Sequence, residues 1–242
     1  MNKTQYQTWI EQGQQWADSA LDDTFAQNPQ RSDTFDQAQL CFVNAQDVHW
    51  QAYLNHQRFQ LSANEGQVSQ AYRFGRQTHR QYTEAFDPKG KTLFLIHWAH
   101  FLSTQGSENK ALSELRAAVV LAKAHAPERL GLALSSLGAE YLAQGNFGRA
   151  IEQLDLSLAS GALSDPELPW CFKALADAFR GLYQLNHAET LYRKALKKSL
   201  ESGQLGIAGE CRSLLLELEQ TLNTDFSFSE LGLKSKSVLQ ST

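Results

Sequence analysis

Along most of this chain apolar residues recur three and four positions apart, the spacing of one face of an α-helix, and short polar stretches interrupt them at regular intervals. The pattern is clearest from Leu132 to Ser160. Leu134, Leu137, Tyr141 and Leu142 line a first helix, Gln144-Gly145-Asn146-Phe147 reads as a turn, and Ala150, Ile151, Leu154 and Leu158 form the stripe of a second helix. At the N-terminus, Thr4 to Leu21 reads as an amphipathic helix with Tyr6, Trp9, Ile10, Trp16 and Leu21 as its apolar sites. Asp22 to Asp33 is polar, contains Asn28-Pro29, and reads as a loop. Phe35 to Asn64 predicts one or two helices, and Leu205 to Leu222 predicts a closing helix.

The helical segments repeat. Pro88, Pro127 and Pro166 are 39 residues apart; Gly66, Gly106 and Gly145 follow at intervals of 40 and 39; Ala71, Ala111, Ala150 and Ala188 follow at 40, 39 and 38. Each residue type suits its phase. Proline cannot continue a helix and would separate one unit from the next. Glycine takes the positive φ of a tight turn between helices. Alanine on the second helix lets the first approach closely. One period therefore reads as helix, turn, helix, break.

Residues Leu134, Leu137, Gly138, Tyr141, Ala150, Leu154 and Ser157, with the Gly-Asn-Phe turn, resemble the tetratricopeptide repeat (TPR). Leu134 stands where that family has tryptophan, and Ser157 where it has its second alanine. The unit Pro169 to Ser199 is similar, through Phe172, Leu175, Ala176, Phe179, Ala188, Tyr192 and Ala195, with a turn read at Gln184-Leu185-Asn186. Thr92 to Ala122 follows more loosely. The unit Ala52 to Arg80 keeps Gly66 and Ala71 and is inferred from the period. The period exceeds the family's usual length of about 34 residues. The resemblance implies an all-α fold, a right-handed α-solenoid of TPR-like helical hairpins. It also implies a scaffold or adaptor that binds a peptide or helix of a partner protein in a concave groove lined by the first helices. A peptide-sensing regulatory module is the alternative. The expected organisation is an N-terminal helix and loop (1–34), divergent hairpins (35–90), TPR-like repeats (91–204), a capping helix (205–222) and a mobile tail (223–242). In that tail Phe226, Phe228, Leu231 and Leu233 offer a docking edge.

Composition narrows the function classes. The 242 residues are 42% hydrophobic and 20% charged, enough for a sizeable core. The formal net charge of −4 disfavours generic phosphate binding, so no nucleic-acid partner is expected. Cys41, Cys171 and Cys211 are far apart with no CxxC pair, which points to reduced thiols in a cytoplasm rather than disulfides or zinc. The most apolar window, Leu93 to Leu102, is too short to span a bilayer and is broken by His97 and His100, so no membrane association is expected. No phosphate loop, GxSxG elbow or HExxH motif occurs.

Histidines carry the sharpest candidate chemistry. His97 and His100 share a helical face, as do His49 and His56, but no third ligand accompanies either pair, so no metal and no cofactor is expected. An enzyme built on these pairs lacks a converging acid, base and nucleophile. Under the TPR resemblance the first helices present Tyr53, His56 and Gln60; then Ile96, His97 and His100; then Ser135, Ala139 and Leu142; then Lys173, Asp177 and Arg180, with Arg212 from the closing helix. That floor runs from aromatic and imidazole groups to a cationic end. The cations either receive an acidic group of a bound peptide or are ordinary solvated charges paired with Asp177. A carboxylate clamp of the chaperone-adaptor kind is disfavoured, because the corresponding positions hold histidine, serine and alanine.

Overall fold

The computed structural model describes residues 1–22 and 30–230, the side chains of 222–230 excepted. The proposed docking edge at Leu231 and Leu233, the side chains of Phe226 and Phe228, and the loop dipeptide Asn28-Pro29 lie outside the described residues. Eleven α-helices and no strand occur among those described. They fall into two compact units. The first, Met1–Ala126, holds three hairpins: α1 (Lys3–Leu21) with α2 (Arg31–Asn44), α3 (Val48–Asn64) with α4 (Val68–Glu84), and α5 (Pro88–Thr104) with α6 (Glu108–His125). The second opens on a 3-10 turn, Pro127–Arg129. It continues with the hairpins α7 (Leu130–Ala143) with α8 (Phe147–Ala159) and α9 (Leu168–Gly181) with α10 (Leu185–Glu201), and then α11 (Leu205–Glu230). The unit inferred from period alone, around Gly66 and Ala71, is a full hairpin, and the closing helix runs on to Glu230.

One turn chemistry recurs. Gly66, Gly106 and Gly145 each sit at φ +71. In each case the glycine N–H donates to the carbonyl three residues back, and the next N–H donates to the carbonyl five back. These paired bonds satisfy the last carbonyls of the preceding helix and reverse the chain. The turn between α9 and α10 has the same bonds, but it lies at Leu182-Tyr183-Gln184, two residues earlier than the sequence pattern suggested. Tyr183 takes the glycine position at φ 58. The same bonds close α2 and α4, with Gln46 at φ 57 and Phe86 at φ 50. Side chains cap the following helices: Asp47 accepts from the Trp50 amide, Asp87 from that of Gly90 and Asn146 from that of Arg149.

Within hairpins the alanine series does what its spacing implied. Ala71, Ala111, Ala150 and Ala188 are fully buried. Opposite Ala150, a Cβ added at Gly138 would lie 2.7 Å from Leu154 Cγ, so only glycine permits that approach of α7 to α8. Ser157 is also fully buried; its hydroxyl donates to the Gly131 carbonyl at 2.7 Å and ties the end of α8 to the start of α7. The proline series marks unit boundaries: Pro88 opens α5, Pro127 opens the 3-10 turn, and Pro166 lies in the segment before α9.

Candidate functional site

In the first unit, α3 and α5 bring His56, Gln60 and His97 together. His56 Nε2 lies 2.9 Å from His97 Nδ1, and Gln60 Nε2 lies 2.9 Å from the same nitrogen. His56 Nδ1 is 3.3 Å from the Tyr82 hydroxyl on α4. One consistent assignment has the Tyr82 hydroxyl donating to His56 Nδ1 and His56 Nε2–H donating to the single lone pair of His97 Nδ1, with the Gln60 amide beside it. Every ring is then neutral. Phe59 stacks on His56, and Tyr82 and Phe94 meet it edge to face, at centroid distances of 5.4 to 6.4 Å. Burial, and then the neighbouring His97, push the His56 pKa down to about 3.

This changes the picture of the floor. His56 is 3% exposed and Ile96 7%, so both serve packing and neither presents a surface to a ligand. Tyr53 and His100 are exposed on α3 and α5, and Gln60 and His97 are half-buried. His49 does not join His56; it pairs with Asp87 at 3.2 Å. Among the described residues no three His, Cys, Asp or Glu side chains converge as metal ligands would. Nor is any helix there long and apolar enough to cross a membrane.

In the second unit, α9 carries Lys173, Asp177 and Arg180 on one face, as their spacing required. Lys173 Nζ lies 3.2 Å from both Asp177 Oδ2 and Glu210 Oε2. Arg180 lies 3.6 Å from Glu217 and 4.0 Å from Asp177. Tyr192 on α10 donates its hydroxyl to Asp177, and burial followed by that carboxylate raises the tyrosine pKa. Burial alone would lower the Lys173 pKa; Asp177 and Glu210 outweigh it, and the net shift is upward. Two cations thus face three carboxylates, and the end of the floor read as cationic is compensated. Glu210 and Glu217 were missed by sequence reasoning, although their seven-residue spacing matches that of Lys173 and Arg180. Arg212 is exposed two residues from Glu210, which on a helix is a different face, so it stands apart from this ladder.

Beside the ladder is a feature the repeat pattern did not signal. Ala139, Leu142 and Ala143 of α7 and Trp170, Lys173 and Ala174 of α9 line a shallow cleft of about 220 Å³. Trp170 is 45% exposed there, although tryptophan is usually well buried. Ser135, one turn earlier on α7, is 3% exposed and contributes nothing to the surface.

Neither a family model nor a curated sequence matches this chain. Solved structures do. Aspartyl phosphate phosphatase F from Bacillus subtilis superposes with a TM-score of 0.69 at 17% identity, over 94% of this chain and 60% of that one. A signal-transduction ATPase with a tetratricopeptide-repeat sensor, from Pyrococcus horikoshii, gives 0.61 at 16%, over 78% and 30%. A Rap protein complexed with Competence and Sporulation Factor gives 0.59 at 14%, over 89% and 66%. The chain thus spans less than two thirds of each of these proteins. At such identities the similarity establishes the fold: this is an all-α, TPR-like helical solenoid.

Proposed function

We propose that this chain is a protein-interaction scaffold or adaptor that holds a peptide or helix of a partner protein against its first helices, by stoichiometric binding and without turnover. The observation that carries this reading is Trp170, a large apolar side chain left half-exposed over an apolar cleft and bordered by a fixed row of charges. Aromatic residues in such settings supply much of the binding energy at interfaces. The Lys173–Asp177–Arg180 row and its α11 partners would set the register of a bound segment, because ion pairs already formed favour a ligand that complements both signs over one that is simply acidic.

A peptide-sensing regulatory module is the second reading. It is favoured by two of the similar structures, the Rap protein complexed with Competence and Sporulation Factor and the ATPase whose tetratricopeptide repeats are its sensor. A histidine-based enzyme has less support, since His56 is enclosed and held neutral.

The test is capture of bound proteins from the native cell extract with the intact chain, with Trp170→Asp, and with Lys197→Glu on the exposed face of α10 as control. A partner retained by wild type and by the control and lost with Trp170→Asp is expected. Identical capture by all three would place the binding surface elsewhere and overturn the assignment.

A further inference from the structure

Three cavities in the first unit run into one another where α4 and α6 flank α5. The largest, about 550 Å³, is lined by Gly75, Arg76, His79 and Arg80 of α4 and by Trp98 of α5. A second, about 480 Å³, lies between Lys91 and Leu95 of α5 and Arg116, Val120 and Leu121 of α6. A third, about 320 Å³, joins them, sharing Thr83 with the first and Lys91, Leu121 and His125 with the second. They form one continuous groove. It is separate from the first-helix faces discussed above and does not depend on that reading.

The floor of the groove is apolar. Any side chain at Gly75 would collide with the Trp98 ring, so the glycine opens α4 directly onto the indole. Leu95, Ala117, Leu121 and Ala124 extend this floor, and Val120 stands 69% exposed beside it. The rims are basic. Arg76, Arg80, Lys91 and Arg116 line the three cavities against two carboxylates, Glu84 and Asp87. Glu84 pairs with Arg80 at 3.3 Å, so those two charges offset each other, and Asp87 meets His49 and the amide of Gly90; Arg76, Lys91 and Arg116 still outnumber the remaining carboxylate. In a chain of net charge −4, this groove is locally positive.

Phe86 is the second observation. It lines the joining cavity, is 90% exposed, and sits at φ 50, where Gly66, Gly106 and Gly145 occupy the corresponding turn position. The left-handed conformation costs a bulky residue about 1–2 kcal/mol. The turn's backbone hydrogen bonds to Thr83 and Tyr82 offset part of that cost, but among the described residues the ring itself gains little burial. Tyr183 shares this conformation and exposure; what sets Phe86 apart is its place at the edge of an apolar groove, where an exposed aromatic can anchor a partner.

We infer that this groove docks an amphipathic helix of a partner protein whose apolar stripe is flanked by Asp and Glu. Residues 75–84 of α4 and 116–125 of α6 each extend about 14 Å, so the site accepts about two and a half turns. Two helices flanking a third present the ridges and grooves into which another helix packs. An apolar floor between basic rims matches an acidic amphipathic helix; a nucleic acid would need continuous cationic density without the apolar floor.

The test uses the full chain and a fluorescein-labelled model peptide of leucine and glutamate, with leucine at i, i+3, i+4 and i+7, read by fluorescence anisotropy. Binding that weakens with salt is expected, together with no binding of the counterpart carrying lysine for every glutamate. Arg76→Glu with Arg116→Glu should weaken binding about tenfold or more. Val120→Asp, at an exposed site that does not threaten folding, should do the same. Phe86→Gly should weaken binding while raising the melting temperature. Trp170→Asp should leave this binding unchanged, which separates it from the first-helix function. Equal binding of both peptides, binding of neither, or wild-type affinity in the Val120 and arginine variants would overturn the inference. So would displacement of the peptide by a single-stranded oligonucleotide that binds more tightly.

Discussion

His56 should make the first unit sensitive to acid. In the folded chain its pKa is pushed down to about 3 by burial and by His97, against about 6.5 in the unfolded chain. Below about pH 6.5 the unfolded state therefore takes up a proton that the native state refuses. Stability is fully present above pH 6.5 and falls as pH drops toward 3. Between pH 8 and pH 5 the linkage amounts to about 2 kcal/mol, a value set almost entirely by the unfolded pKa, because the native ring stays neutral throughout that window. The groups facing the imidazole are the Tyr82 hydroxyl on α4, His97 on α5, and the apolar rings of Phe59 and Phe94. None is a carboxylate that would stabilise the imidazolium. The assay is urea unfolding followed by circular dichroism at pH 8 and pH 5, for wild type and for His56→Gln, which keeps a hydrogen-bonding side chain. Other histidines titrate in both proteins, so the difference of differences isolates His56. Wild type should lose about 2 kcal/mol more than the variant. Equal losses in the two proteins would refute the neutral, enclosed histidine.

Tyr183→Gly should stabilise the second unit. The tyrosine is 80% exposed at φ 58, so relief of left-handed strain outweighs lost contacts and the added freedom of the unfolded chain, for a net gain of about 0.5–1 kcal/mol. A lowered melting temperature would show that the ring makes contacts of value. Ala150→Leu should cost about 1–3 kcal/mol by overpacking the contact where α7 crosses α8 at Gly138, and an unchanged melting temperature would contradict that packing. Reversing Lys173 and Arg180 to Glu should destabilise the second unit, because five carboxylates would then share the α9 and α11 faces. Wild-type melting of this double variant would indicate that the ladder is screened by solvent.

Periodicity determined most of the architecture. Helical spacing, the glycine turns and the buried alanines are local requirements of a hairpin, written where the hairpin forms, so the chain alone yields the helices and their pairing. It also yielded the shared face of Lys173, Asp177 and Arg180, since spacing on one helix is a local property. The tertiary structure decided what lies opposite each face. A helical wheel does not reveal that His56 points into an aromatic cluster and away from solvent, that Glu210 and Glu217 reach across from α11 to neutralise the α9 cations, or that Trp170 stays half-exposed over α7. The turn after α9 was misplaced by two residues because its left-handed position holds tyrosine, and the glycine signal that marked its siblings was missing. The groove between α4 and α6 was invisible for the same reason as the ladder. It is built from residues tens of positions apart, each ordinary in its own helix, whose apolar and basic character acquires meaning only when packing sets them side by side.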